Sequence, residues 1–150
     1  MNYDLQFRPL KNPPPAKLVL DYRKDAGFDS PLPRAMADDP RGKVQWVSVE
    51  ASGKQVAIAR LEIAAPEFCF VSELMVRSAY RGKGIGHWFI HRIEQYCLGM
   101  GIHRLLLQAA DGTEPFYRAM AFFPEPLIPN LLRKEISPLQ RRVFSPLFNN

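Results

Sequence analysis

Between Met75 and Phe89 the chain reads MVRSAYRGKGIGHWF, with Gly82, Gly84 and Gly86 interleaved by Lys83 and Ile85 and preceded by Arg81. Glycine tolerates φ > 0 and lets a ligand approach the backbone closely. An apolar run precedes these glycines and a helix-period pattern follows them, so they lead into a helix N-terminus. Unpaired N–H groups and the positive end of the helix dipole make such a terminus attractive to an anion. With two cations alongside, residue types and spacing suit a pyrophosphate. Neither common nucleotide loop fits: G-x-x-x-x-G-K-[ST] is absent, and the dinucleotide pattern G-x-G-x-x-G is replaced by G-x-G-x-G. Taken alone, the six residues could also be a glycine-rich turn with no ligand.

Other candidate side chains are weaker. His87 and His91 stand i, i+4 on the same expected helix, a spacing that could hold a metal, but no third ligand accompanies them. HWFIH therefore reads as an exposed helix face, and no metal is expected. His103 opens a strand and says little. Asp38 and Asp39 could attract a cationic amine, although a solvated turn is the simpler reading. Cys69 and Cys97 are the only cysteines and lack any metal or redox spacing, which fits a reducing, cytoplasmic setting.

The elements that must position the glycine loop are legible around it. Residues 68–76, FCFVSELMV, are apolar on both faces, as in a central strand covered on both sides. Residues 44–50 and 55–64 alternate around ASGK turn chemistry and read as a hairpin. Beyond the loop, Ile85, Phe89, Ile93 and Cys97 recur every four residues, with Trp88, Arg92 and Tyr96 alongside, until Gly99 or Gly101 ends the helix. RLLLQA is a short buried strand. TEPFYRAMAF is a short helix with Thr113 as its N-cap and Pro115 in its first turn. Near the start, YDLQFRPL is a strand closed by NPPP, and AKLVLDYRKDAGF a helix with Leu18, Tyr22 and Ala26 on one side. Residues 29–40 look irregular, with one helical turn near 34–37, and LLRKEI is the best strand in the tail.

Composition narrows the function classes. At 150 residues and 47% hydrophobic residues, a single domain over 1–150 with one core is expected. The net charge of +5 suits a polyanionic ligand and equally plain solubility. Nucleic-acid binding is not expected: Arg133, Lys134, Arg141 and Arg142 gather loosely in the tail, with no basic stripe interleaved by aromatics. The first residues lack the basic start and apolar run of a signal peptide, and no window has the apolar length to span a bilayer.

RGKGIG matches R-x-x-G-x-G, and here the chain resembles the GNAT superfamily of acyl-CoA-dependent N-acetyltransferases. ELMV before the loop and FYRAMAF downstream match that family's further motifs, and the resemblance is best over residues 44–123. It implies a mixed, mostly antiparallel α/β (α+β) sheet of about six to seven strands with helices on both faces. It implies acetyl-CoA as cosubstrate, with backbone groups of Leu74, Met75 and Val76 along the pantetheine arm. Arg81, Gly82, Lys83, Gly84, Ile85 and Gly86 would hold the pyrophosphate. Tyr117 matches the tyrosine that protonates the departing thiolate, and Glu73 stands where relatives use a carboxylate to deprotonate the amine. A buried carboxylate is costly unless functional or paired, and Arg60 would be a suitable partner. The acceptor would be a primary amine of a small molecule or a peptide, with the Pro-rich ends packing on a second copy in a homodimer. A non-catalytic acyl-CoA-binding module is the alternative, in which Tyr117 is idle. Three departures stand out. Ala121 replaces the usual glycine before Phe122, Ser78 stands where many relatives carry proline, and AADGT replaces an asparagine that often holds the pantetheine arm.

Overall fold

The computed structural model describes residues 3–28, 43–110 and 112–136. The expected helical turn near 34–37, together with Asp38 and Asp39, lies outside the described residues. The elements are β1 (Leu5–Pro9), α1 (Ala16–Asp25), β2 (Val44–Ala51), β3 (Lys54–Ala64), β4 (Phe68–Val76), α2 (Ile85–Gly99), β5 (Arg104–Gln108), α3 (Glu114–Arg118), β6 (Phe123–Pro124) and β7 (Leu131–Glu135). One sheet holds seven strands in the order β1-β2-β3-β4-β5-β7-β6. Pairing is antiparallel for β1–β2, β2–β3, β5–β7 and β6–β7, and parallel for β4–β5. This is the expected mixed α+β sheet.

The chain divides into two compact units, residues 1–63 with 72–92 and residues 64–71 with 93–150. In the first, β2 and β3 meet through Ser52 and Gly53, both at positive φ as a two-residue type I′ turn demands. Trp46 and Ile58 face one way and pack with Val19 and Tyr22 of α1 and with Met75 of β4. Burying such large side chains is worth on the order of 2 kcal/mol each. Phe7, opposite Val49 in register, faces the other way and meets Phe89 of α2 edge-on. Helices thus cover both faces here. That explains why Ser48, a polar residue between Val47 and Val49, is fully buried, with its hydroxyl donating to the Arg8 carbonyl. In the second unit the core gathers Cys69, Val71, Ile93, Cys97, Leu105, Leu107, Phe122 and Leu132, with both cysteines buried and not in a disulfide.

Three helices end alike. After α1, Gly27 N–H bonds the Lys24 carbonyl and Phe28 N–H that of Arg23. After α2, Gly101 and Ile102 bond Leu98 and Cys97 in the same pattern, and after α3, Ala121 and Phe122 bond Arg118 and Tyr117. Each is a Schellman cap, which needs a left-handed residue at its turn. Gly27 and Gly101 sit at φ 81° and 76°, and Ala121 at 68°. Thr113 occupies the N-cap position of α3 without capping; its hydroxyl donates to the Ala110 carbonyl instead.

Candidate active site

The strand before the glycine loop carries the first irregularity. Parallel pairing of β4 with β5 covers Cys69, Phe70 and Val71 only, and two residues later Glu73 sits at φ 51°. Left-handed backbone at a non-glycine residue costs about 1–2 kcal/mol. Beyond it Leu74, Met75 and Val76 resume the strand, with Met75 buried in the α1 cluster and Leu74 and Val76 partly exposed. The neighbouring Ser72 hydroxyl is buried with no hydrogen-bond partner among the described residues.

Glu73 is not alone. Arg23 of α1 places its Nη1 at 2.5 and 2.8 Å from the two carboxylate oxygens, and both side chains are about nine-tenths buried. Arg23 also lies over the Phe28 ring, 5.4 Å from its centroid. The pairing with Arg60 considered from the sequence does not form; Arg60 binds Glu62 at 2.9 Å. Sequence reasoning missed Arg23 because helical periodicity ranks apolar residues, while the buried face of α1 is Val19, Tyr22 and Arg23. The one available signal was a glutamate in a buried strand, which requires a partner somewhere.

After β4, residues Ser78–Tyr80 form one 3-10 turn and the glycine loop follows. Gly82 and Gly84 adopt φ 73° and 82°, and a Cβ at either would meet nothing within 4 Å. These glycines therefore serve the backbone's conformation and leave one side of the loop open. Trp88 N–H bonds the Gly84 carbonyl, so the amides of Ile85, Gly86 and His87 precede the first intrahelical bond of α2. Ile85 is buried and pins the helix start, while Lys83 is exposed. Arg81, though exposed, lies back along the surface: its Nε donates to the Val76 carbonyl at 2.9 Å and its Nη2 to the Asp25 carbonyl at 3.1 Å. Glu73 through Val76 and the loop 81–86 all belong to the first unit.

Tyr117 lies in the second unit, on α3. Its ring meets Phe116 and Phe122 edge-on, with centroids 5.0 and 5.9 Å away. Burial raises its phenol above the ordinary value of 10.0, so it stays a proton donor through the neutral range.

His87, His91 and His103 are exposed, and no group of three potential metal-ligating side chains occurs among the described residues. Arg133 and Lys134 are paired with Glu125 and Glu94, at 3.4 and 2.7 Å, and Arg141 and Arg142 lie outside the described residues. No helix among the described residues is long and apolar enough to cross a membrane.

A central strand with left-handed backbone at Glu73, a glycine loop at a helix N-terminus behind it and a mixed seven-stranded sheet put the protein in the α+β class. A family model described as acetyltransferase (GNAT) family matches residues 6–122, and the chain belongs to that family. Among solved structures, a GNAT-family protein of Desulfovibrio desulfuricans shares the fold with a TM-score of 0.71 at 16% identity, covering 89% of this chain and 99% of that one. The ribosomal-protein-S18-alanine N-acetyltransferase of Escherichia coli gives 0.66 at 15% identity, covering 89% and 94%. Escherichia coli ElaA gives 0.64 at 17% identity, covering 88% and 97%. No curated protein matches the sequence.

Proposed function

We propose that this chain is an N-acetyltransferase that moves an acetyl group from acetyl-CoA to a primary amine by direct attack in a ternary complex. The observation that carries this reading is the loop at Gly82 and Gly84, left-handed, open on one side and continuous with the free amides of α2. Those amides suit a pyrophosphate, and the glycines remove side chains that would block it. The backbone of Leu74, Met75 and Val76, past the end of the β4–β5 ladder, suits the pantetheine arm.

The thioester supplies an activated acyl carbon; the remaining work falls to this chain. Glu73 takes the amine's proton, directly or through a water it holds, so that the neutral nitrogen forms the new C–N bond as the C–S bond breaks. Arg23 fixes the direction of that carboxylate. Tyr117, partly buried and protonated, gives its proton to the departing sulfur, and the proton that the acylated nitrogen then sheds passes through solvent to restore the phenol.

The test is acetyl-CoA binding by calorimetry together with CoA release across polyamines, amino acids, aminoglycosides and peptide N-termini. Binding with turnover on at least one amine is expected; neither binding nor release overturns the reading. Binding without turnover on any amine would leave an acyl-CoA-binding module. Tyr117→Phe should bind acetyl-CoA normally and lose about 10²–10⁴-fold in kcat. Unchanged kcat would remove Tyr117 from the mechanism.

A further inference from the structure

Asp25, the last residue of α1, touches the segment that leads into the glycine loop at both of its ends. Its Oδ2 accepts the Ser78 backbone N–H at 2.8 Å, and its Oδ1 the Ser78 hydroxyl at 2.7 Å. Arg81 Nη2 lies 3.4 Å from the same carboxylate while donating to the Asp25 carbonyl. The guanidinium is further tied to Val76. One side chain of α1 therefore holds the first and last residues of the stretch from Ser78 to Arg81, immediately before Gly82.

The anchor is itself well fixed. α1 ends in the Gly27 cap, and Arg23, half a turn before Asp25, is bound to Glu73. The carboxylate stays charged below its ordinary range, chiefly because Ser78 donates to it through side chain and backbone, with Arg81 and Arg77 adding to the effect. Ser78 suits this contact for a definite reason: a proline at that position could donate neither bond. The loop beyond needs such help, because glycines lose more conformational freedom on ordering than any other residue.

We propose that Asp25 is a positioning residue for the cofactor loop, holding residues 82–86 in their binding conformation before acyl-CoA arrives. It touches none of the loop's glycines. Arg81 acts here as the loop's tether, and Lys83 is left as the loop's outward cation. The inference rests on the acyl-CoA reading above and is tested separately from it. Asp25→Ala should raise the Kd for acetyl-CoA about tenfold, the effect of losing one or two charge-assisted bonds. Ser78→Ala keeps the backbone bond and should cost about threefold, and kcat at saturating cofactor should stay within about twofold of wild type in both. Backbone N–H order parameters of residues 82–86 should fall in Asp25→Ala, with the thermal melt otherwise close to wild type. A folded Asp25→Ala whose Kd lies within about twofold of wild type overturns the proposal. So do unchanged order parameters in the loop, which remain decisive even if the wild-type chain binds no acetyl-CoA and the cofactor reading itself fails.

Discussion

α1 and α3 end in the same hydrogen-bonding pattern, and the difference between them lies in what each end carries. The α1 cap turns on Gly27, and its last turn presents two charged side chains, Arg23 and Asp25, to partners on β4 and the loop. The α3 cap turns on Ala121 at φ 68°, and its last turn presents Tyr117, held by aromatic edges and the Phe122 contact that closes the cap. One end is unstrained backbone bearing buried charge. The other is strained backbone bearing a neutral donor in an apolar setting. A charge taken out of water needs a partner fixed in place. A phenol needs only that its own proton be kept, which burial alone achieves. The same cap can therefore carry strain at one end and should not carry it at the other.

The comparison breaks most visibly at Arg23. Arg23→Met leaves the nine-tenths buried Glu73 carboxyl without its guanidinium, which should cost about 3–5 kcal/mol of stability in urea unfolding. Arg23→Met with Glu73→Gln should recover most of that loss. Equal stability of the single and double variants would mean that the pair is not coupled.

Exchanging the cap residues is the next test. Gly27→Ala imposes left-handed φ on a residue with a Cβ and should destabilise by about 1–2 kcal/mol, although a Cβ there meets nothing within 4 Å. Ala121→Gly relieves the same strain but adds freedom to the unfolded chain, so a smaller gain of about 1 kcal/mol or less is expected. Thermal melts of the two variants should move in opposite directions. A loss at Ala121→Gly would show that the alanine methyl, not the backbone, decides that position.

These contrasts also mark the limit of what the sequence discloses. The hairpin, the central strand, α2 and the glycine loop follow from local patterns of period two or four and from turn chemistry, and all stand where those patterns put them. Ala121 was flagged by a missing glycine, and its positive φ accounts for the flag. Arg23–Glu73 and Asp25–Ser78 join residues 50 and 53 apart in sequence, and no local pattern carries such pairs. Apolar periodicity puts Leu18 and Ala26 with Tyr22 on the buried face of α1, yet both are only partly buried, because Arg23 occupies a core position that apolar periodicity does not assign to a charge. Thr113 has the right residue type for a cap, but its hydroxyl finds the Ala110 carbonyl first, a competition that residue type cannot decide.

The smallest effect concerns the tyrosines that the two helices bury. Burial raises both Tyr22 of α1 and Tyr117 of α3 above 10.0. Beside Tyr22, burial is opposed by the Arg77 guanidinium, 4.4 Å from the ring centroid, with the Asp25 charge a smaller effect in the raising direction, whereas no charge among the described residues opposes burial at Tyr117. A folded value above the unfolded one means that the unfolded chain releases its proton first. The associated stability is whole below the unfolded value, near pH 10, and is lost as pH rises through the folded value. Urea midpoints should therefore hold steady through the neutral range and fall on the alkaline side. Tyr117→Phe should flatten that fall more than Tyr22→Phe does, because the Arg77 charge has already eased ionisation at Tyr22. Equal flattening by the two variants would place a compensating cation near Tyr117 as well, and its neutral, apolar setting would no longer distinguish α3 from α1.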